Sequence, residues 1–364
     1  MARTGHRPPV SLCGSLSLAL HERPQRHPHA HTALPLPPCG RILGTDRPPP
    51  RAGRRHRRTV RPRGGPVSEE TLRLEHEGFR YSCRVNRRPD HTAAPVFLFG
   101  GALHRNHGWA RRLEKALPPR TTVVTVDLPG FGAADPLPAS YDASFLAAAA
   151  WQAVDRLGFA RYDLVGQCLG GFVVQHMLRE ARPEVRRVVL SGVCAGPWPG
   201  PQLKAGLQSA EVASDRGDRA TLLDVATRLF FGPAANEDAT GHQGPVPQFR
   251  DRIGSLDPAV MEDLRSHLYR QWFPTTLPAP SLPEAPVLVF TGVNDILTPP
   301  HEAHRLAMGY PHGRFTVVED AGHMIHVERP DLYGQIVASH LGDRGETVPH
   351  CRPLDASERL EQLT

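Results

Sequence analysis

The decisive stretch is LVGQCLGGFV, residues 164–173. A short β-branched run, YDLVG (162–166), leads into it, and an apolar helical pattern over 169–180 leads out. Between them Gly166-Gln167-Cys168-Leu169-Gly170 has the form G-x-nucleophile-x-G. A strand-to-helix turn this tight strains its central residue. It needs small residues two before and two after, so that strand and helix can approach. The helix then aims its free N–H groups and positive dipole end at the central side chain. Cys168 therefore stands where a nucleophile belongs, and the rest of the chain decides whether it works as one or is the remnant of a lost site.

A nucleophile of this kind needs a base, and the base needs an orienting acid. GVNDILTPP (292–300) puts Asp295 just past an apolar strand, and DAGHMIHVERP (320–330) puts His323 just past RFTVV (314–318). A lone loop Asp is usually a turn or cap residue, and a lone His is usually a packed or exposed one. Here each falls where one topology needs it, in the order nucleophile, acid, base. The oxyanion donors expected from this turn are the N–H of Leu169 and that of Gly101, in GGALHRNHGW (100–109) after the strand PVFLF. Drift in the partners would mark a dead site; intact acid and base motifs favour a working thiol.

Further runs of the same kind, TTVVTV (121–126), VRRVVLS (185–191) and PVLVF (286–290), suit parallel strands buried on both faces. LRLEHE (72–77) and FRYSCRV (79–85) alternate like a hairpin turning near Gly78. Helical patterns over 144–157, 302–308 and 332–341 lie between the later strands, so the fold class is α/β with a mostly parallel sheet flanked by helices. About 90 residues separate the strand ending near Ser191 from the one at Pro286, and they contain two helical patterns, 219–231 and 258–273. These boundaries predict a core of 68–193 and 286–343, an inserted helical cap of 194–285 over the strand C-terminal ends, and a C-terminal tail of 344–364. Among the aromatic residues of the cap, Trp198, Phe231 and Trp272 are candidates for substrate contact, in a roof that suits an acyl or aromatic group.

These motifs together resemble the α/β-hydrolase superfamily over residues 72–342. VFLFGG matches its oxyanion strand and turn, VDLPGFGAAD (126–135) the next strand and loop, GQCLGG the elbow, GVNDILTPP the acid and AGHMIHVERPD the histidine. Two positions depart from the pattern: Phe99-Gly100 stands for the usual His-Gly, and Cys168 for the usual Ser. The G-x-C-x-G-G form is similar to the elbows of dienelactone hydrolases and polyhydroxyalkanoate synthases, while the large cap is more similar to those of esterases and carbon–carbon bond hydrolases. The resemblance implies an α/β-hydrolase fold and an acyl enzyme using Cys168, His323 and Asp295, with no cofactor and no metal.

The formal charge of +6 is unevenly spread. Residues 1–67 carry 13 Arg and no Lys against two acidic residues, with 12 of the 38 prolines, which reads as a disordered basic Pro/Arg-rich tail. The other 297 residues are net −5, so the folded part has no charge reason to bind nucleic acid. No apolar stretch is long enough for a membrane span. Six cysteines without C-x-x-C pairs argue against zinc or a disulfide scaffold, and fit a reducing, cytoplasmic setting. The expected partner is a small-molecule acyl substrate, a class that includes CoA and carrier-bound thioesters, with no nucleic acid and no membrane. The predicted reaction is cleavage of an ester or thioester through an acyl-cysteine. Transfer of the acyl group to an amine, alcohol or thiol is the alternative, and a non-catalytic ligand-binding protein on the same fold is the third reading.

Overall fold

A computed structural model of the chain describes residues 68–88, 93–101, 107–195, 201–232, 245–272, 283–342 and 351–354. The expected basic tail, 1–67, lies outside them. The described strands form one nine-stranded sheet in the order β1-β2-β4-β3-β5-β6-β7-β8-β9. They are β1 (Ser68–His76), β2 (Phe79–Arg87), β3 (Val96–Phe99), β4 (Val123–Asp127), β5 (Tyr162–Gln167), β6 (Val185–Ser191), β7 (Val287–Gly292), β8 (Gly313–Val318) and β9 (Cys351–Leu354). The six strands from β4 to β8 run parallel, while β1, β2 and β9 pair antiparallel at the two edges. This is the mostly parallel α/β sheet that the apolar runs predict. The hairpin turns through Glu77 and Gly78, both at positive φ, which places the turn at the expected glycine.

Alternation along the buried strands divides two apolar layers. Phe97, Phe99, Val124, Leu164 and Leu190 face α2 (Ala143–Leu157), α3 (Leu169–Met177) and α8 (Pro300–Met308). Val96, Leu98, Val165, Val189 and Phe290 face α1 (His107–Ala116) and α10 (Pro330–Leu341), with the short α9 (Ile325–Glu328) just before α10. Helix α2 begins where the Asp142 carboxylate accepts the N–H groups of Ser144 and Phe145, and it ends at Gly158 in the left-handed region.

Between β6 and β7 the described residues form four helices: α4 (Pro201–Asp215), α5 (Arg219–Phe231), α6 (Pro245–Gly254) and α7 (Pro258–Tyr269). The sequence pattern identifies α5 and α7 but reads the segment between them as a loop, because Pro245 and Pro247 mark it. Both prolines sit in the first turn of α6, where their missing N–H groups have no helical partner to lose. Residues 351–354 likewise form a strand inside the stretch expected to be a tail, and Pro353 is tolerated there at the sheet edge.

The end of α7 is pinned to the sheet domain by polar contacts. The Arg270 guanidinium donates to the carbonyls of Leu137 (2.9 Å), Pro138 (3.1 Å) and Tyr141. His267 Nε2 lies 2.9 Å from Gly130 O, and His176 Nε2 lies 2.6 Å from Trp272 O. Burial, with the nearby Arg270, drives the His267 pKa down to about 3; burial also drives His340 down to about 4 and lowers His176. In the unfolded chain these histidines titrate near 6.5. Below that pH the unfolded state binds protons that the folded state refuses, so stability falls as pH falls from about 6.5 toward 3 to 4, with a slope of up to about 1.4 kcal/mol per pH unit for each histidine. His323, described below, has a raised pKa and acts only above pH 6.5, while the buried carboxyls of Glu328 and Asp163, pushed up to about 7 and about 6, offset part of this loss between pH 6.5 and 5. Urea unfolding should therefore show a midpoint lower at pH 5 than at pH 6.5; an unchanged midpoint would contradict this role for the buried histidines.

Candidate active site

Cys168 joins β5 to α3 at φ 53° and ψ −125°, a conformation that side-chain-bearing residues rarely adopt. Its N–H donates to Ser191 O (2.9 Å), and its carbonyl accepts the N–H of Gly171 (2.8 Å). The flanking glycines permit the close approach. A Cβ on Gly170 would lie 2.3 Å from Phe99 O, and one on Gly166 would lie 2.6 Å from Gly171 Cα. Gly101, beyond the tip of β3, packs so near that a Cβ there would sit 3.1 Å from the Cys168 Cβ and 3.4 Å from its sulfur. Leu169 opens α3 and lines the same cavity as Gly101 and Cys168.

The other two candidates arrive from neighbouring strand ends. Asp295 follows β7 and His323 follows β8, and His323 Nδ1 lies 2.8 Å from Asp295 Oδ2. Both side chains are buried. Four more donors hold the carboxylate: Thr291 Oγ1 (2.5 Å) and Thr298 Oγ1 (2.7 Å) on Oδ2, and the N–H groups of Leu297 and Thr298 (2.9 Å each) on Oδ1. Burial pushes the Asp295 pKa up, but His323 and these donors outweigh it, so the group stays ionised below the usual carboxylate range. Burial likewise lowers the His323 pKa, yet Asp295 and then the Cys168 sulfur raise it, and the net is well above the ordinary imidazole value. His323 Nε2 is buried with no hydrogen-bond partner among the described residues, so the second ring nitrogen is left to take a proton.

Three further contacts organise the site and are not legible in the motifs. Gln167 Nε2 lies 3.2 Å from His326 Nδ1 beneath the elbow, joining residues 159 positions apart. Glu328 accepts the Gly322 N–H on both oxygens (3.1 and 3.0 Å), and burial pushes its pKa up to about 7 against that N–H bonding. Its place five residues after His323 is the sole signal for it in the sequence. The His323 N–H donates to Phe230 O at the end of α5 (2.9 Å), and a Cβ on Gly322 would lie 2.6 Å from the Phe231 backbone. The inserted helices therefore touch the loop that carries the histidine.

A cavity of about 1140 Å³, counting its open mouth, runs from Cys168 between the inserted helices. Its walls are mainly aliphatic, with Leu207, Leu229, Ile253, Leu264, Leu297 and Met324 among them. This departs from the expected aromatic roof. Trp272 is buried away from the cavity against Phe172 (5.9 Å) and donates its Nε1–H to His267 O, while Phe231 stacks edge-on to Phe249 (5.0 Å). Trp272 thus anchors the end of α7 to the sheet domain, while Phe231 holds α5 to α6. Phe230 reaches the cavity instead, and Trp198 lies outside the described residues. No group of three or more metal-ligating side chains occurs among the described residues, and no described helix is long and apolar enough to cross a membrane.

The model of one protein family, described as the alpha/beta hydrolase fold, matches residues 94–330. Among curated proteins, a 2-hydroxy-6-oxononadienedioate/2-hydroxy-6-oxononatrienedioate hydrolase 2 from Pseudomonas putida is 26% identical over 261 residues, covering 68% of this chain and 88% of the relative. A pimeloyl-[acyl-carrier protein] methyl ester esterase from Chromobacterium violaceum is 26% identical over 264 residues, covering 68% and 93%. Among solved structures, MGS-M2, an alpha/beta hydrolase enzyme from a Medee basin deep-sea metagenome library, aligns with a TM-score of 0.62 at 15% identity, over 76% of this chain and 98% of that one.

Proposed function

The chain belongs to the alpha/beta hydrolase fold family, and from that premise we propose that it cleaves an ester or thioester through an acyl-cysteine, with Cys168 as nucleophile, His323 as base and Asp295 as its orienting acid. The observation that carries the reading is geometric: Cys168 sits at φ 53° in the turn between β5 and α3, and the buried His323 is held at 2.8 Å by the Asp295 carboxylate with its Nε2 unpartnered among the described residues. His323 takes the thiol proton, the sulfur bonds to the substrate carbonyl carbon, and the carbonyl oxygen becomes an oxyanion held by the N–H groups of Gly101 and Leu169. Collapse breaks the bond to the alkoxide or thiolate leaving group, which receives the proton from His323. Water then attacks the acyl-cysteine and gives a proton to His323; the carbon–sulfur bond breaks, His323 returns the proton to the departing Cys168 sulfur, and the acid and the free thiol result. The inserted helices act as a cap that covers this chemistry.

Both curated relatives are hydrolytic enzymes by name, one of them an esterase whose substrate is bound to an acyl carrier, which supports an ester-acting hydrolase here. Acyl transfer is the second reading. It is favoured by the apolar walls around Cys168, which hold water poorly, and by the susceptibility of a thioester to amines and thiols. Incubation with an activated acyl ester and an added amine separates the two: hydrolysis yields mostly free acid, transfer yields amide. In either case Cys168→Ala should lower product formation to the uncatalysed rate, and full activity in that variant would remove the reading.

A further inference from the structure

We infer that the cavity beside Cys168 is a binding site for an uncharged aliphatic acyl chain, and that it rejects a chain ending in a carboxylate. The inference rests on the proposed acyl chemistry for its orientation, with the acyl carbon at Cys168 and the chain running between the inserted helices. The walls carry the argument. Ala226, Leu229, Ile253, Leu297 and Met324 are buried, and Leu207, Leu222, Leu256, Met261 and Leu264 continue the surface toward the half-buried end. Together they offer a methylene chain continuous apolar contact and an aromatic ring little to stack on, since Phe230 is the one Phe, Tyr or Trp side chain among the described lining residues.

Charge decides the rest. Among the described lining residues the cation is Arg265, and it is already committed: its guanidinium lies 2.8 Å from Asp215, 3.1 Å from Glu211 and 3.7 Å from Glu262. Glu211 also accepts the Tyr269 hydroxyl. Three carboxylates around one guanidinium give that rim a negative balance, so an incoming carboxylate meets repulsion there. Deeper in the cavity it finds no free cation among the described lining residues. Burying an unpaired carboxylate against such walls is strongly unfavourable. The site thereby differs in chemistry from one suited to the dioate named for the Pseudomonas putida relative.

The test uses the full chain and N-acetylcysteamine thioesters of acetate, hexanoate, decanoate and the ω-carboxy analogue of hexanoate. kcat/KM should rise about fourfold for each methylene that the cavity covers, and the ω-carboxy analogue should fall at least about 100-fold below hexanoyl. Leu264→Arg, at the half-buried end, should raise the ω-carboxy substrate at least about tenfold relative to hexanoyl, with a native circular dichroism spectrum and urea midpoint reporting that the variant is folded. The same thioesters are titrated calorimetrically into Cys168→Ala, which reads the chain site without the chemistry. Preferential binding of decanoyl there, with no turnover by the native chain, would retain this site and remove the acyl-cysteine reading. Equal affinities and rates for charged and uncharged chains, or values that fall with chain length, would overturn the inference even if every substrate is hydrolysed through Cys168.

Discussion

His323→Ala should lower kcat/KM for a thioester substrate by about 10³- to 10⁴-fold, while the circular dichroism spectrum stays native. The imidazole is bound to the ionised Asp295 by a 2.8 Å hydrogen bond and keeps its other, buried nitrogen for the thiol proton. Asp295→Asn should come close to the same loss, because the amide cannot balance an imidazolium and turns an N–H toward the groups that now donate to the carboxylate. A second readout separates chemistry from folding. Iodoacetamide should alkylate Cys168 at pH 7 at least about tenfold more slowly in His323→Ala than in the native chain. Equal alkylation rates would show that His323 does not activate this sulfur.

The second large effect is structural. A Cβ on Gly170 would meet Phe99 O at 2.3 Å and Gly100 O at 2.6 Å, distances that real Cβ atoms do not adopt. Both obstacles are backbone at the tip of β3, so α3 must move away and carry Cys168 and Leu169 with it. Gly170→Ala should therefore cost about 3 kcal/mol of unfolding free energy or more, and remove most activity. Gly158→Ala is the control: it also replaces a glycine, at φ 64°, but open space surrounds its Cβ. That change should cost about 1 kcal/mol and leave activity unchanged. Urea unfolding compares the two, and similar losses would contradict the close-approach argument.

The elbow and the two loops are legible in the sequence because their constraints are local. Gly166 and Gly170 flank Cys168 at fixed spacing, and Asp295 and His323 each follow a β-branched run at the same edge of a parallel sheet. The cavity is not legible in this way, since its walls come from helices whose register depends on packing. Phe231 and Phe230 are adjacent in sequence, yet one packs on Phe249 and the other reaches the cavity. Trp272 follows the same rule: its position past α7 gives no sign that it is buried against Phe172. Pairs such as Gln167–His326, far apart along the chain, leave no periodic or spacing signal at all. Helix α6 is hidden for a different reason, because prolines that commonly mark loops occupy its first turn.

The central claim is that Cys168 carries the acyl group, and an intact mass spectrum after brief incubation with activated acyl thioesters tests it most directly. The native chain should gain the mass of one acyl group, Cys168→Ala should gain none, and fragmentation should place the adduct on residue 168. Turnover without any adduct on the native chain, or an adduct of equal amount on Cys168→Ala, would contradict the claim.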